Sequence, residues 1–318
     1  MKAVFLDYAS LDQNDLDFSE LHAVFENLTL YPASTEEQVS ERIQDVDVVI
    51  TNKVRISAEV IQQLPKLKLI LISATGTNNV DLVQAKKSGI VVCNCQAYGT
   101  SAVAQHTLML MLALSTSVIQ YHQAVQKGEW QKAQQFCLLD FPIVELAGKT
   151  LGIIGYGELG QAVAQLAKAF GMQIMVGALP NRPQREGRVQ LDELLSQADY
   201  VSLHCPLTDE TKDLIDAKVF DRMKSSAFLI NCARGGIVNE QALADALIHN
   251  KIAGAATDVL TVEPPKQGNV LLNIDIPNLI ITPHSAWGSV DARHRIVQQL
   301  MENVKAFQNG QPIRQVNL

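Results

Sequence analysis

The stretch "LGIIGYGELG", residues 151–160, sets Gly155, Gly157 and Gly160 in G-x-G-x-x-G spacing between an apolar run and the helix-forming segment "ELGQAVAQLAKAF". Few folds accept a strand, a tight glycine turn and a helix in that order. Gly155 allows the turn, Gly157 lets backbone approach a pyrophosphate, and Gly160 lets the helix pack closely on the strand. The first N–H groups of the helix then face the anion. Glycine turns also occur without ligands, but this strand–turn–helix setting points to a dinucleotide.

The surrounding chain agrees with a sheet of parallel strands wrapped by helices. Short β-branched runs at 3–6, 47–51, 68–73 and 90–93 alternate with helix-like segments rich in Glu, Gln, Leu and Ala. A second series follows at 151–154, 173–177, 199–203, 226–230, 253–257 and 279–282. Between the two series a long helix is expected over about 101–127, flanked by Gly99 and Gly128. Asn239 reads as the N-cap of a helix over 239–250. Ile296, Val297, Leu300, Val304 and Phe307 form a helical stripe that Gly310 ends. Two strand series imply two domains, with periodicity silent on which of them takes the final helix.

Composition narrows the function classes. With 318 residues, 47% hydrophobic and 19% charged, the chain reads as globular and soluble. A net charge of −7 argues against a nucleic-acid module, which needs a basic face. The apolar stretch 103–114 is too short to span a bilayer, and "MKAVFLDYAS" lacks the pattern of a secretory signal. Cys93, Cys95, Cys137, Cys205 and Cys232 form no CxxC pair, so reduced thiols, a cytoplasmic location and no metal site are expected.

Three later segments concentrate polar residues at strand ends, where parallel sheets hold their ligands. "INCARGGIVNE" carries Arg234, "TDVLTVEPP" carries Asp258 and Glu263, and "IITPHSAWG" carries His284. Arg offers a planar fork for a carboxylate or a polarised carbonyl. His titrates near neutrality, and a carboxylate beside it fixes its tautomer. Singly, each has a plain reading as a cap, a solvated loop acid or a core histidine. His204, which ends the run "YVSLH" just before Cys205 and Pro206, rivals His284 as the acid, and spacing does not choose between them. His106 on the apolar helix and His294 on the terminal one read as structural.

Taken in order, "LKLILISATGTNNVDL", "LGIIGYGELG", "LHCPLTDETKDLI", "LINCARGGIVNEQALADAL", "AGAATDVLTVEPP" and "NLIITPHSAW" closely resemble the D-isomer-specific 2-hydroxyacid dehydrogenases over nearly the whole chain. "SATGTNNVD" and "PHSAWGSVDAR" look most like the glycerate dehydrogenase (hydroxypyruvate reductase) branch. The resemblance implies an α/β fold of two Rossmann-like domains with parallel sheets and the active site in the interdomain cleft. It implies a substrate domain of 1–98 plus 288–318 and a dinucleotide-binding domain of 99–287. Arg234, Glu263 and His284 become the catalytic set, which decides against His204 by resemblance alone. Ala74, Thr75 and Gly76, together with Arg234, would bind the substrate. Cofactor contacts would come from Gly155, Tyr156, Gly157, Glu158, Leu159 and Gly160 in the turn. Further contacts would come from Cys205, Pro206, Thr211, Cys232, Ala233 and Asp258. The expected partners are NAD(H) or NADP(H) and a small 2-keto or 2-hydroxy acid, with a homodimer formed through the long helix.

Two competing readings and one departure from the family pattern bear on this assignment. A formate dehydrogenase branch would pair its histidine with Gln, and Glu263 counts against it. A dinucleotide-sensing binding protein of the same fold fits the intact Arg234, Glu263 and His284 set poorly. The second strand of the glycine-turn series runs into Gly177, Ala178, Leu179 and Pro180 with no carboxylate to grip a ribose 2′-hydroxyl. That loss removes a selector against NADP, and Arg182, with Arg185 and Arg188 beyond it, is a candidate partner for a 2′-phosphate. The opposing reading leaves these arginines solvated and NAD held by backbone contacts.

Overall fold

The computed structural model describes residues 1–180, 185–273 and 275–318. The chain divides into two compact units, Met1–Gly99 with Gly288–Leu318, and Thr100–Trp287.

The first unit holds five strands: β1 (Lys2–Phe5), β2 (Asn27–Leu30), β3 (Val48–Thr51), β4 (Leu69–Ile72) and β5 (Val91–Cys93). They form one sheet in the order β2-β1-β3-β4-β5, every neighbour parallel. β3 and β4 are buried at every residue, as strands covered on both faces must be. The final helix, Val290–Gln308, packs in this unit with Ile296, Val297, Leu300 and Val304 buried. Asn303 on that helix donates from Nδ2 to Asn94 O at 3.0 Å. Arg293 in its first turn grips Asp15 with two hydrogen bonds of 2.6 Å.

The second unit continues with β6 (Thr150–Ile154), β7 (Gln173–Gly177), β8 (Arg188–Val189), β9 (Tyr200–Leu203), β10 (Phe228–Asn231), β11 (Gly254–Thr257) and β12 (Leu279–Ile281). Their order is β12-β11-β10-β9-β6-β7-β8, again parallel throughout. The order reverses direction at β6, and ligands of such sheets sit at that point beyond the carboxyl ends. Successive residues serve opposite faces: Leu229 and Ala255 join one core cluster, Ile230 and Ala256 the other. Register aligns Gly177, Ile154, Leu203, Asn231, Thr257 and Ile281 across the sheet. The next residue of each strand therefore reaches one edge together: Ala178, Gly155, His204, Cys232, Asp258 and Thr282.

Three local features differ from the sequence reading. β2 and the two-residue β8 were not expected. The helix expected over 101–127 is two helices, Thr100–Thr116 and Val118–Gln126, bent by 60°. Ser117 adopts left-handed geometry there (φ 50°), and its hydroxyl donates to Pro142 O at 2.7 Å. A tertiary partner thus breaks a helix whose apolar pattern continues. Asn239 caps the helix Glu240–Ile248, accepting from Ala242 N. Among the described residues no single helix is long and apolar enough to cross a membrane.

Candidate active site

The glycine turn leaves β6 at the reversal of strand order. Gly155 has φ +95°, and a Cβ there would lie 2.4 Å from Cys205 N. A Cβ on Gly160 would lie 2.2 Å from Gly155 O. Both positions exclude a side chain because backbone fills the space. Gly157 is the opposite case: its Cβ would meet nothing within 4 Å. It opens a cradle at the start of the helix Glu158–Ala169, where a pyrophosphate fits the leading N–H groups.

The neighbours of the turn hold it in place. Tyr156 and Leu159 are half-buried against the core that includes Val103 and Leu110. Exposed Glu158 accepts from Thr100 Oγ1 at 2.6 Å. Cys205 and Cys232 are buried, which pushes their thiols up to about 11 and about 12 and keeps both neutral. Thr211 is buried and braces its own loop, donating to Pro206 O at 2.6 Å and accepting from Thr208 N at 2.8 Å. Pro206 is exposed, and Ala233 is buried with its N–H on Asn231 Oδ1. At the end of β7, Gly177 is buried and Ala178 donates to Val189 O at 2.8 Å. Arg182 lies outside the described residues. Arg185 is exposed and Arg188 half-buried.

At the other side of the edge, three segments converge. His284 Nδ1 lies 2.5 Å from Glu263 Oε2, and Glu263 Oε1 accepts from Leu260 N at 2.8 Å. Glu263 offers carboxylate oxygens as acceptors, so His284 donates from Nδ1 and Nε2 is the nitrogen left for proton exchange. His284 sits in left-handed geometry (φ 53°) and donates its own N–H to Asp258 O at 2.7 Å. Backbone of this type in a non-glycine residue persists only where surrounding contacts fix it. Arg234 is exposed, with one guanidinium nitrogen on Ala233 O at 2.7 Å. Beside it, a Cβ at Gly235 would lie 1.9 Å from Leu260 O. The missing side chain at 235 lets the Arg234 turn touch the loop that carries Glu263.

Asp258 is only 2% exposed, and a bare carboxylate there would be costly. It is satisfied by Thr282 Oγ1 at 2.5 Å, Ser285 N at 2.9 Å and Ala286 N at 2.9 Å. His106 Nε2 reaches Thr282 Oγ1 at 3.0 Å and stands 3.6 Å from Asp258 Oδ1. Sequence alone reads His106 as structural, since helix periodicity carries no sign of a partner 176 residues away.

His204 reaches the same edge in a different state. Its Nε2 pairs with Ser202 Oγ at 2.8 Å, and its Nδ1 is buried with no partner among the described residues. Burial pushes its pKa down to about 4, so at neutrality it holds no proton to give as an imidazolium. His284, with 29% of its side chain exposed, has a carboxylate partner on Nδ1, which His204 lacks.

In the first unit, the loop after β4 carries Ala74, Thr75 and Gly76. Ala74 O accepts from Cys95 N at 3.1 Å, Thr75 O accepts from Asn94 Nδ2 at 2.8 Å, and Thr75 Oγ1 donates to Cys95 O at 3.0 Å. These ties fix the loop.

Residues 108–286 match the family described as D-isomer specific 2-hydroxyacid dehydrogenase, NAD binding domain. The chain is 45% identical over 311 residues to glycerate dehydrogenase of Methylorubrum extorquens, covering 98% of this chain and 97% of that protein. It is 39% identical to hydroxypyruvate reductase of Blautia hydrogenotrophica over the full length of both. Among solved structures it is similar to an acyclic imino acid reductase, Bsp5, in complex with NADPH and D-Arg. That similarity has a TM-score of 0.87 and 29% identity, and covers 99% of this chain and 100% of that one.

Proposed function

The chain belongs to the D-isomer specific 2-hydroxyacid dehydrogenase family, and on that premise we propose that it interconverts hydroxypyruvate and D-glycerate, with glyoxylate as a second substrate. Membership makes it an oxidoreductase with a nicotinamide dinucleotide as cofactor. The observation that carries the finer reading is the 2.5 Å contact between His284 Nδ1 and Glu263, which leaves Nε2 to exchange a proton at the substrate oxygen.

The residues divide the work as follows. Bound reduced nicotinamide supplies the hydride. His284 gives its Nε2 proton to the developing alkoxide, while Glu263 compensates the imidazolium charge and keeps the ring oriented. Arg234 holds the substrate carboxylate and polarises the carbonyl, a role suited to its exposed fork. Gly155 to Gly160, with Cys205, Pro206, Thr211, Cys232, Ala233 and Asp258, form the cofactor edge. Asp258 does so while bound to Thr282, Ser285 and Ala286, so it acts from a fixed position. In the first unit, backbone N–H groups of Ala74, Thr75 and Gly76 take a substrate carboxylate, which makes that unit the substrate domain and Thr100–Trp287 the cofactor domain.

A homodimer is part of the proposal. Val118, Ile119, Trp130, Phe136, Leu139 and Ile143 are exposed along one segment, with Phe136 at 89% and Leu139 at 77%. Apolar exposure concentrated in this way supports an interface between two copies. A reducing, cytoplasmic setting suits five free cysteines.

Initial rates with hydroxypyruvate and glyoxylate, each with NADH and NADPH, test the reading. Turnover of hydroxypyruvate is the expected result. Cofactor binding without turnover of either acid would favour a dinucleotide-sensing protein. Preference for NADPH would assign the carboxylate-free end of β7 to a 2′-phosphate.

A further inference from the structure

The proton-transfer pair depends on a loop that a third carboxylate holds. Glu240 is the first residue of the helix Glu240–Ile248, outside the Arg234, Glu263 and His284 set. Its Oε1 accepts from Thr261 N at 2.7 Å, and its Oε2 accepts from Asn269 Nδ2 at 2.8 Å. Those two donors bracket the segment that carries Glu263, Pro264 and Pro265. Inside the bracket Glu263 uses one oxygen on Leu260 N and the other on His284. Gly235 packs against Leu260 O and holds the same segment from the Arg234 side.

We infer that Glu240 is a positioning residue for proton transfer: by gripping both ends of the 261–269 loop it fixes Glu263 against His284. The inference rests on the reading of His284 as the proton donor. The chemistry of the two grips demands a carboxylate. Thr261 N and Asn269 Nδ2 are both donors, and a carboxylate is the side chain that accepts at both oxygens. A glutamine would keep the Thr261 contact and place its NH2 against that of Asn269. Asn269 cannot turn over to relieve this, because its Oδ1 already accepts from Leu271 N at 2.9 Å. A purely structural brace and a positioning residue differ in what they disturb. A loop that shifts by a fraction of an ångström leaves the glycine cradle untouched but lengthens the Glu263–His284 contact, where small displacements are costly.

The test compares the wild type with Glu240→Gln and Glu240→Ala, using hydroxypyruvate and NADH. Four quantities are measured: kcat, KM for NADH, the NADH Kd by fluorescence, and the solvent isotope effect on kcat. Expected are a fall in kcat of about 10- to 100-fold for Glu240→Ala, a smaller fall for Glu240→Gln, an NADH Kd within about twofold of wild type, and a larger solvent isotope effect in both. Folded variants with wild-type kcat and isotope effect would overturn the inference. If Glu240→Ala does not fold, Glu240→Gln decides by the same criteria. Lack of wild-type turnover with both NADH and NADPH would remove the His284 reading, and this inference with it.

Discussion

Both units are parallel sheets whose strand order reverses once, yet their reversal points are built for opposite purposes. In the first unit the reversal lies between β1 and β3, and the chain fills it. Asp7, 6% exposed, follows β1 and accepts from Asn52 N at 2.8 Å, Lys53 N at 2.7 Å and Val54 N at 3.2 Å. Those N–H groups are where an anion would bind, and a side-chain carboxylate already satisfies them. In the second unit the reversal lies between β6 and β9, and the chain meets it with glycine. Gly155 and Gly160 close the backbone, and Gly157 faces open space. One architecture therefore makes a self-sealed edge or an open edge according to whether an acid or a glycine follows the first strand.

A graded set of substitutions distinguishes the two edges. The largest effect should come from the open edge. His284→Ala is expected to lose about 10²–10⁴ in kcat with the fold and NADH binding intact. A variant with near-normal turnover would remove His284 as the proton donor. At the sealed edge the expectation reverses. Asp7→Ala leaves buried N–H groups without an acceptor and should destabilise the first unit by about 3 kcal/mol in urea titrations, with NADH affinity unchanged. A loss of affinity without loss of stability would show that the Asp7 edge takes part in binding.

Acid should separate the two units as well. The folded pKa of His204, about 4, lies below its ordinary 6.5, so its contribution is whole above 6.5 and lost as pH falls toward 4. Up to about 3 kcal/mol is at stake by linkage, and His204→Asn should flatten stability across that window. Equal slopes in variant and wild type would contradict the burial of its ring. Asp15 in the first unit acts later and least. Its hydrogen bonds with Arg293 hold the carboxyl near 2 against an ordinary 3.8, so its contribution is present above 3.8 and fades as pH falls toward 2. Asp15→Asn should lower the thermal midpoint slightly at neutral pH, and the gap from wild type should close below pH 3.8. A gap that stays constant down to pH 2 would show that the pair is not the cause.

Much of this arrangement was legible in the sequence because local chemistry carries it. A G-x-G-x-x-G after an apolar run states its own turn, and β-branched runs such as those of β3 and β4 state their strands. β8 was not legible, since two residues, Arg188 and Val189, become a strand only by pairing with β7. The break at Ser117 was hidden for a similar reason: its hydroxyl partner, Pro142, is 25 residues away. At the site, residue types at strand ends pointed to Arg234, Glu263 and His284. The bond between Glu263 and His284, the pairing of His106 with Thr282 and the grip of Glu240 on two loop positions exist only in three dimensions. Spacing could not rank His204 against His284, whereas the Nδ1 atoms separate them: that of His284 meets Glu263, and that of His204 is buried with no partner among the described residues.

The most direct measurement is the configuration of the product formed from hydroxypyruvate, followed together with the NADH or NADPH consumed. D-glycerate is expected, one molecule for each reduced cofactor oxidised, with almost none from His284→Ala. L-glycerate, or equal product from wild type and His284→Ala, would contradict the proposed function.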